Sequence, residues 1–411
     1  MKALGRTEFV ALMAMLTATV AFSIDAMLPA LPTIAAELSP DAPNRAQLIL
    51  TSFVFGMGLG TFLAGPISDA MGRKSVIVLG AAIYVGGASL AWMGDSLEAV
   101  LIGRLIQGFG AAGPRVVAIA MIRDLYAGRG MAKIMSFVMT VFALVPAVGP
   151  ALGQLIIVQT GWRGIFIAFI VFATLTVAWL MLRQPETLPS ERRRPLRARA
   201  LWDAVREVFS YRDVRIAIAT LSLLFGGFFS VLSTVQPVFD DTFGMAESFH
   251  LWFAAIAVLA AGGSILNASI VERFGMRRIV RAVMWVQSAF SAIVLIAVAS
   301  GLISGAPYLA LYFLWTLSVF FMAGLTMGNL NAIAMEPLGH IAGMAASVTG
   351  SVATVAAVPI AALIGLTFDG TPLPIAAGLT VVFGAGAWLI GRTREAVPHS
   401  PAARRSSSNS A

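Results

Sequence analysis

Long apolar segments separated by short polar stretches follow one another along the whole chain. Each is close to the ~20 residues that a helix needs to cross the hydrocarbon core of a bilayer. The backbone of a segment in lipid must satisfy its own polar groups, and these runs are too long and too continuously apolar for barrel strands. The pattern therefore predicts twelve membrane-spanning helices, at residues 8–30, 46–66, 75–94, 98–120, 133–158, 162–182, 213–239, 248–270, 279–301, 306–330, 341–366 and 372–391.

The basic residues fall on one side of this predicted arrangement. With the N-terminus placed in the cytoplasm, all but four of the 28 Lys and Arg residues lie in cytoplasmic segments. Arg45 and Arg163 lie on the opposite side, and Arg104 and Arg115 lie within the fourth span. Because cytoplasmic loops of membrane proteins carry an excess of Lys and Arg, the distribution predicts that both termini are cytoplasmic.

The longest basic stretch, from Arg183 to Arg215, divides the spans into two groups of six. The loops after the second and eighth spans correspond, because each has an acid (Asp69, Glu272) three residues before a glycine that basic residues follow. Such internal duplication recurs in transporters, whose substrate site lies between the halves. We predict an all-α membrane protein with two pseudo-symmetric six-helix bundles, divided into an N-terminal bundle (1–182), a cytoplasmic basic linker (183–212), a C-terminal bundle (213–391) and a disordered cytoplasmic tail (392–411).

Composition and charge exclude several function classes. Charged residues make up only 12% of the chain, about half the fraction in a soluble domain. The chain has no cysteine and its three histidines lie far apart, so we expect no metal and no cofactor. The sequence contains neither the phosphate-binding loop of an ATP-driven pump nor the nucleophile–base set of an enzyme. The net charge of +8 follows the membrane topology, so nucleic acid is not an expected partner.

The loop after the second span has the sequence GPISDAMGRK at residues 65–74. Gly72 permits a tight turn, and Asp69 can bond a helix N-terminus or pair with a basic residue such as Arg123 or Arg129. An ion pair buried in only one conformation can act as a latch. The stretch resembles the signature loop of the major facilitator superfamily, G-x-x-x-D-x-x-G-R-K/R, which implies a transporter. The residues to which we assign conformational gating here are Gly65, Asp69, Gly72, Arg73 and Arg123.

The fourth span carries Arg104 and Arg115 at the two ends of RLIQGFGAAGPR. A charged side chain within a span is costly and normally faces a partner or a water-filled cavity. The stretch resembles the R-x-x-Q-G-x-G-A-A motif of drug:proton antiporters, which implies that Arg104 lies near the cavity and influences a proton site. Arg115 lies either at the cavity or close to the cytoplasmic end of the span. We assign both arginines to proton coupling.

Asp25, in the first span, is the acid placed well inside a predicted helix. Desolvation disfavours its charged form and a nearby arginine favours it, so this carboxyl group can be alternately protonated and paired. The D-x-x-x-P-x-x-P spacing of residues 25–32 resembles the first-span motif of twelve-span drug:proton antiporters. We predict that Asp25 carries the coupled proton and contacts substrate. The alternative is a structural carboxylate near the periplasmic end of the span.

The fifth span holds PAVGPALGQ at residues 146–154. Gly149 and Gly153 lie one helical turn apart and form a groove on one face, while two prolines favour a bend. The segment resembles the antiporter motif G-x-x-x-G-P-x-x-G-G, from which Val145 and Gln154 depart. We assign Gly149, Pro150 and Gly153 to gating. The alternative is a kinked helix that serves packing alone.

Three further stretches narrow the resemblance, at residues 121–126 (MIRDLY), 161–166 (GWRGIF) and 334–343 (AMEPLGHIAG). The last resembles the Bcr/CflA group of multidrug exporters, and the resemblance extends from Asp25 to about Phe368. It implies a multi-pass efflux protein of the bacterial inner membrane.

The sequence therefore predicts a proton-coupled antiporter that exports small amphipathic drugs or metabolites by alternating access. Gln236 and Asn331 are predicted polar groups of the substrate site, and interhelical hydrogen bonds are the alternative for both and for Asn329. Expected partners are a small-molecule substrate, protons and the lipid bilayer, and we expect a monomer. A facilitator or importer of a small nutrient, and a non-transporting membrane sensor, remain open because fold does not fix function.

Overall fold

The computed structural model describes residues 4–393, and every regular element in this range is helical. The α-helices are α1 (Arg6–Asp25), α2 (Leu31–Leu38), α3 (Leu48–Met71), α4 (Arg73–Met93), α5 (Leu97–Leu125), α6 (Gly128–Thr160), α7 (Gly164–Arg183), α8 (Ala198–Ser210), α9 (Arg212–Pro237), α10 (Phe249–Phe274), α11 (Met276–Ala299), α12 (Gly305–Met335), α13 (Ala342–Leu366) and α14 (Leu373–Ile390). The predicted tail lies, from residue 394 onward, outside the described residues.

Twelve helices in this range are long and apolar enough to cross a membrane, which confirms the predicted number of spans. The first consists of α1 and α2 with a 3₁₀ turn between them, and spans two to six are α3 to α7. Spans seven to twelve are α9 to α14. Several helices are longer than the apolar runs that predict them: α6 begins at Gly128, before Arg129 and Lys133, because a helix can continue past the hydrocarbon into polar surroundings.

Helix α8 lies in the basic stretch between the two groups of six spans. It buries Ala204 and Val208 against the protein, while Trp202 is exposed. We call the end of the bundle that carries α8 the linker end. The opposite end, which carries α2 and the loop before α3, is called the distal end.

Within the N-terminal group, glycines bring α5 close to α3 and α4. A Cβ atom on Gly108 of α5 would overlap the carbonyl oxygen of Phe53 of α3. A Cβ atom on Gly103 would lie 2.6 Å from the backbone nitrogen of Ala91 of α4. Backbones this close leave no space for a side chain, so α5 is fixed against both neighbours.

The two groups of helices meet along α3 and α13, and along α6 and α10. Near the linker end, a Cβ on Gly65 would be 2.9 Å from the Ser347 hydroxyl. In the middle, one on Gly58 would be 2.9 Å from the Val355 side chain. At the distal end, the amide of Asn44 donates hydrogen bonds to the carbonyl oxygens of Leu366, at 3.3 Å, and Phe368. The α3–α13 seam is therefore packed along its length.

Candidate functional site

Asp25 is the last residue of α1, at the point where the first span breaks. Pro29 and Pro32 lack a backbone N–H, so the α-helical hydrogen-bond ladder cannot continue through them. The chain instead makes the 3₁₀ turn Leu28–Ala30 and resumes as α2. The break leaves Asp25 inside the bundle, where it is 4% exposed. The aspartate–proline spacing thus places a buried carboxyl group at a break in the first span.

The small face of α6 receives this break. A Cβ atom on Gly149 would lie 2.8 Å from the Cβ of Asp25, and one on Gly153 would overlap the carbonyl oxygen of Ala26. Gly149, Pro150 and Gly153 are all buried. The groove predicted from the glycine spacing is present, and it lies directly against the predicted proton-coupling residue.

Arg104 is fully buried on α5 and is held by neutral acceptors. Its guanidinium donates to the carbonyl oxygen of Ser23 at 2.9 Å, to the side-chain oxygen of Gln107 at 2.8 Å, and to the carbonyl oxygen of Ile49 at 3.3 Å. It also lies over the ring of Phe53, with 4.4 Å from Cζ to the ring centroid. These contacts tie α5 to both α1 and α3.

The sequence predicts an arginine near the Asp25 carboxylate, and in the structure Arg104 of α5 contacts the last turn of α1 without pairing directly with Asp25. The guanidinium bonds the backbone of Ser23, two residues before Asp25. Among the described residues, no side chain is within hydrogen-bonding or ion-pairing distance of the Asp25 carboxyl group. Buried carboxyl groups usually have such partners, so this one is available to a proton or a ligand.

Tyr84 of α4 belongs to the same cluster and is not predicted by the sequence patterns. Its hydroxyl lies 2.6 Å from that of Ser23, which donates its own proton to the carbonyl oxygen of Thr19, so Tyr84 is the donor. The side-chain nitrogen of Gln107 is buried without a partner in the described part of the chain. The available signal for Tyr84 was that it is the one tyrosine in a mainly apolar span, where its hydroxyl group needs a hydrogen-bond partner.

Arg115 lies on α5 nearer the linker end than Arg104. Its guanidinium contacts the sulfur of Met57 on α3 at 3.6 Å, and the side chain is partly exposed. Arg115 therefore lies apart from the Asp25 cluster. It is close to the α3–α13 seam, because Gly58, the residue after Met57, packs against α13.

The signature loop is organised around Arg73 rather than around Arg123 or Arg129. Arg73 donates to Asp124 of α5 at 2.9 Å, to Asp69 at 2.5 Å and to the Ser68 hydroxyl at 2.8 Å. Asp69 thus pairs with Arg73, which lies four residues further along the chain, because the tight turn at Gly72 (φ +97°) folds Arg73 back towards it. The loop is pinned to α5 by the Arg73–Asp124 pair.

Glu186, just after α7, is a second anchor of this loop that the sequence patterns do not predict. Its carboxylate accepts hydrogen bonds from the backbone N–H groups of Arg73 and Lys74, both at 3.0 Å, at the first turn of α4. A carboxylate at a helix N-terminus satisfies free N–H groups and the helix dipole. The available signal for Glu186 was its position as an acid at the start of a strongly basic linker.

The predicted polar groups of the C-terminal half do not meet at Asp25. Gln236 is buried near the distal end of α9, and its side-chain oxygen has no partner among residues 4–393. Asn331 is exposed near the linker end of α12 and donates to the carbonyl oxygen of Met327. For Asn329 the structure shows the alternative prediction, an interhelical hydrogen bond: it exchanges amide hydrogen bonds of 2.8 and 3.3 Å with Asn267 of α10.

Comparisons with known proteins agree with this architecture. An uncharacterized MFS-type transporter of Bacillus subtilis, YdgK, is 27% identical and covers 94% of this chain and 95% of its own. A bicyclomycin resistance protein homolog of Haemophilus influenzae is 30% identical over 65% of this chain and 67% of its own. A chloramphenicol resistance protein of Pseudomonas aeruginosa is 28% identical over 78% and 73%.

A solved structure of a D-xylose-proton symporter has the same fold, with a TM-score of 0.76 at 15% identity, over 94% of this chain and 97% of its own. The sequence profile described as Major Facilitator Superfamily matches residues 13–362. The predicted fold and the resemblance to resistance transporters are confirmed, and the chain belongs to the Major Facilitator Superfamily, a family of membrane transporters rather than enzymes.

Proposed function

We propose that this transporter exports small amphipathic molecules in exchange for protons, with its linker end in the cytoplasm and its distal end outside. The observation that carries the proposal is the Asp25 carboxyl group. It is buried at the break in the first span, packed on the small face of α6, and without a partner among the described residues. Ionisable residues inside membrane spans mark ion and proton pathways.

The surroundings of Asp25 connect its protonation to helix packing. The next residue, Ala26, packs its backbone directly against Gly153 of α6. Movement of the break therefore moves α1 relative to α6. Two residues before Asp25, the carbonyl of Ser23 is bonded by Arg104, which also bonds α3 through Ile49. A proton or ligand at Asp25 therefore acts on the contacts that join α1 to α6, α5 and α3, of which α3 and α6 pack against the other half.

In the proposed cycle, deprotonated Asp25 accepts substrate while the cavity faces the cytoplasm. A proton that enters from outside displaces the substrate, and the two halves rock back. Moving one charge through 100 mV supplies about 2.3 kcal/mol, which sustains about a fifty-fold concentration gradient. The packed α3–α13 seam, with the Arg73 ion pairs at its linker end, is the proposed two-state element.

The relatives with resistance names support export over import, whereas the likeness to a xylose symporter supports the fold alone. Direction and coupling are measured together in everted membrane vesicles, from the pH change that each compound causes across an imposed gradient. The panel contains antibiotics, fluorescent dyes and amino acids. Wild type is compared with Asp25→Asn and with Asp95→Asn, the same chemical change at a carboxylate whose side chain is 98% exposed.

We expect at least one compound to dissipate the pH gradient in wild type and in the Asp95 variant but not in the Asp25 variant. If instead compounds enter wild-type vesicles without any proton movement, antiport is contradicted and a facilitator is favoured. Loading in the opposite direction favours an importer. Binding without movement in any vesicle favours a membrane sensor.

A further inference from the structure

Helix α8 lies next to the membrane at the linker end. Only Tyr211 separates Ser210, the last residue of α8, from Arg212, the first residue of the span α9. The guanidinium of Arg215, in the first turn of α9, donates to the carbonyl oxygen of Phe209 at 2.9 Å, which ties the end of α8 to the start of the span. The C-terminal end of α8 is therefore close to the level where a spanning helix leaves the hydrocarbon for the headgroups.

One exposed face of α8 combines an aromatic and two basic side chains. Arg199 and Arg206 lie three residues before and four residues after Trp202, so the three side chains are neighbours on the helix surface. All three are exposed, Trp202 by 65%. Ala204 and Val208 lie on another face, which is buried against the protein. We call the exposed surface of Arg199, Trp202 and Arg206 the basic face of α8.

The surroundings of the basic face add positive charge. Within the part of the chain that the structure describes, Arg199 and Arg206 form no ion pair, and Asp203 is the one acid between them in the sequence. Glu207 is engaged elsewhere, because its carboxylate is bonded to His340 at 2.6 Å. The linker before α8 exposes four further arginines: Arg192, Arg193, Arg194 and Arg197.

An anionic lipid surface complements the basic face better than the rest of the chain does. Residues 394–411 contain three arginines and one glutamate, so this segment repels a basic surface. Phosphate oxygens accept paired hydrogen bonds from a guanidinium, and tryptophan side chains concentrate at the level of the headgroups. The basic and the aromatic groups of α8 therefore both match the membrane surface next to which the helix lies.

We propose that the basic face of α8 binds anionic phospholipid headgroups of the adjacent leaflet. The guanidinium groups of Arg199 and Arg206 bind phosphate oxygens, and the ring of Trp202 packs at the level of the headgroups. The four arginines that precede α8 add attraction to the same surface. This binding fixes the helix that joins the two groups of six spans, and it does not depend on the proposed exchange of substrate for protons.

Binding is measured as stabilisation of the full chain in dodecyl maltoside micelles, to which phosphatidylglycerol or zwitterionic phosphatidylcholine is added. A ligand that binds the folded chain raises its melting temperature, which is followed by circular dichroism. The variant is Arg199→Gln combined with Arg206→Gln. The matched control, Arg129→Gln combined with Lys133→Gln, removes two exposed charges near the start of α6. Trp202→Ala tests the ring, and glycerol 3-phosphate supplies the phosphate without the lipid.

We expect phosphatidylglycerol to stabilise wild type more than phosphatidylcholine does, and high salt to reduce the difference. The arginine variant should need about tenfold more phosphatidylglycerol for half of the effect, and Trp202→Ala about threefold more. Both should melt as wild type does without added lipid, because the replaced side chains are exposed. The proposal is overturned if the two lipids stabilise wild type equally, if the control pair weakens the effect as much as the arginine pair, or if glycerol 3-phosphate stabilises as well as phosphatidylglycerol at equal phosphate concentration.

Discussion

Replacing Gly153 by alanine tests the contact on which the proposed coupling depends. The added Cβ would overlap the carbonyl oxygen of Ala26 and lie 2.9 Å from its carbonyl carbon and 3.0 Å from its Cα. Carbon atoms in contact are about 3.5–4.0 Å apart, so α6 and the break after Asp25 must separate by about 0.6 Å or more. Both partners are backbone, which cannot rotate away. Overpacking of this kind costs about 1–3 kcal/mol.

Gly130→Ala is the matched control, because it lies in the same helix and a Cβ there meets nothing within 4 Å. Alanine favours a helix over glycine by about 1 kcal/mol, and both variants receive this gain. Because Gly130 is in the first turn of α6, its gain is at most this amount, and the difference between the two free energies of unfolding is a lower bound on the cost of the overlap.

Unfolding is followed by tryptophan fluorescence in mixed micelles of dodecyl maltoside and SDS, and transport is measured in vesicles. We expect Gly153→Ala to be about 1–3 kcal/mol less stable than Gly130→Ala and to lose substrate-driven proton movement. Equal stability and equal transport in the two variants would refute the close contact between α6 and the break.

Three further predictions concern the arginine and carboxylate contacts. Arg104→Lys should reduce transport more than tenfold, because one ammonium group cannot reach three acceptors on three helices; Arg115→Lys, which loses only a sulfur contact, should reduce transport less in the same vesicle assay. Arg73→Gln should destabilise the protein by about 3 kcal/mol because it leaves the partly buried Asp124 unpaired, and adding Asp124→Asn should restore part of this loss in a double-mutant cycle of unfolding free energies. Glu186→Gln should cost about 0.5–1 kcal/mol of unfolding free energy, since a neutral amide interacts more weakly with the N-terminus of α4, and an unchanged value would contradict the capping contact.

The fold could be predicted from the sequence because lipid restricts the possible structures so strongly. An apolar run of sufficient length must be a helix, and the count of twelve follows from the runs alone. Helix ends could not be predicted to the residue. Hydropathy reports the hydrocarbon boundary, whereas hydrogen bonding decides where the helix stops, so α5 continues through Arg123 to Leu125.

Features within one helix were also predictable. Gly149 and Gly153 share a face because they are one turn apart, and Pro29 and Pro32 break the first span wherever it packs. The partner that fills the groove, the Asp25–Ala26 segment, depends on how α1 and α6 pack.

Contacts between distant parts of the chain were not predictable by the same reasoning. Tyr84 is 61 residues from Ser23, and Glu186 is 113 residues from Arg73. The reciprocal amide pair of Asn267 and Asn329 also joins two helices whose neighbourhood only the fold defines. Predicting such pairs requires the packing of the helices, which the apolar pattern does not specify.

The separation between Asp25 and Arg104 bears on how the proposed coupling works. A direct ion pair would hold both groups in one geometry, and breaking it inside the protein would leave two unpaired buried charges. Here Arg104 has neutral acceptors and a ring face, so its hydrogen bonds are satisfied without Asp25. On the proposed cycle, a deprotonated Asp25 competes with the carbonyl of Ser23 for the same guanidinium. Protonation then returns Arg104 to the arrangement seen here, so a local exchange of acceptors on α1 accompanies each proton.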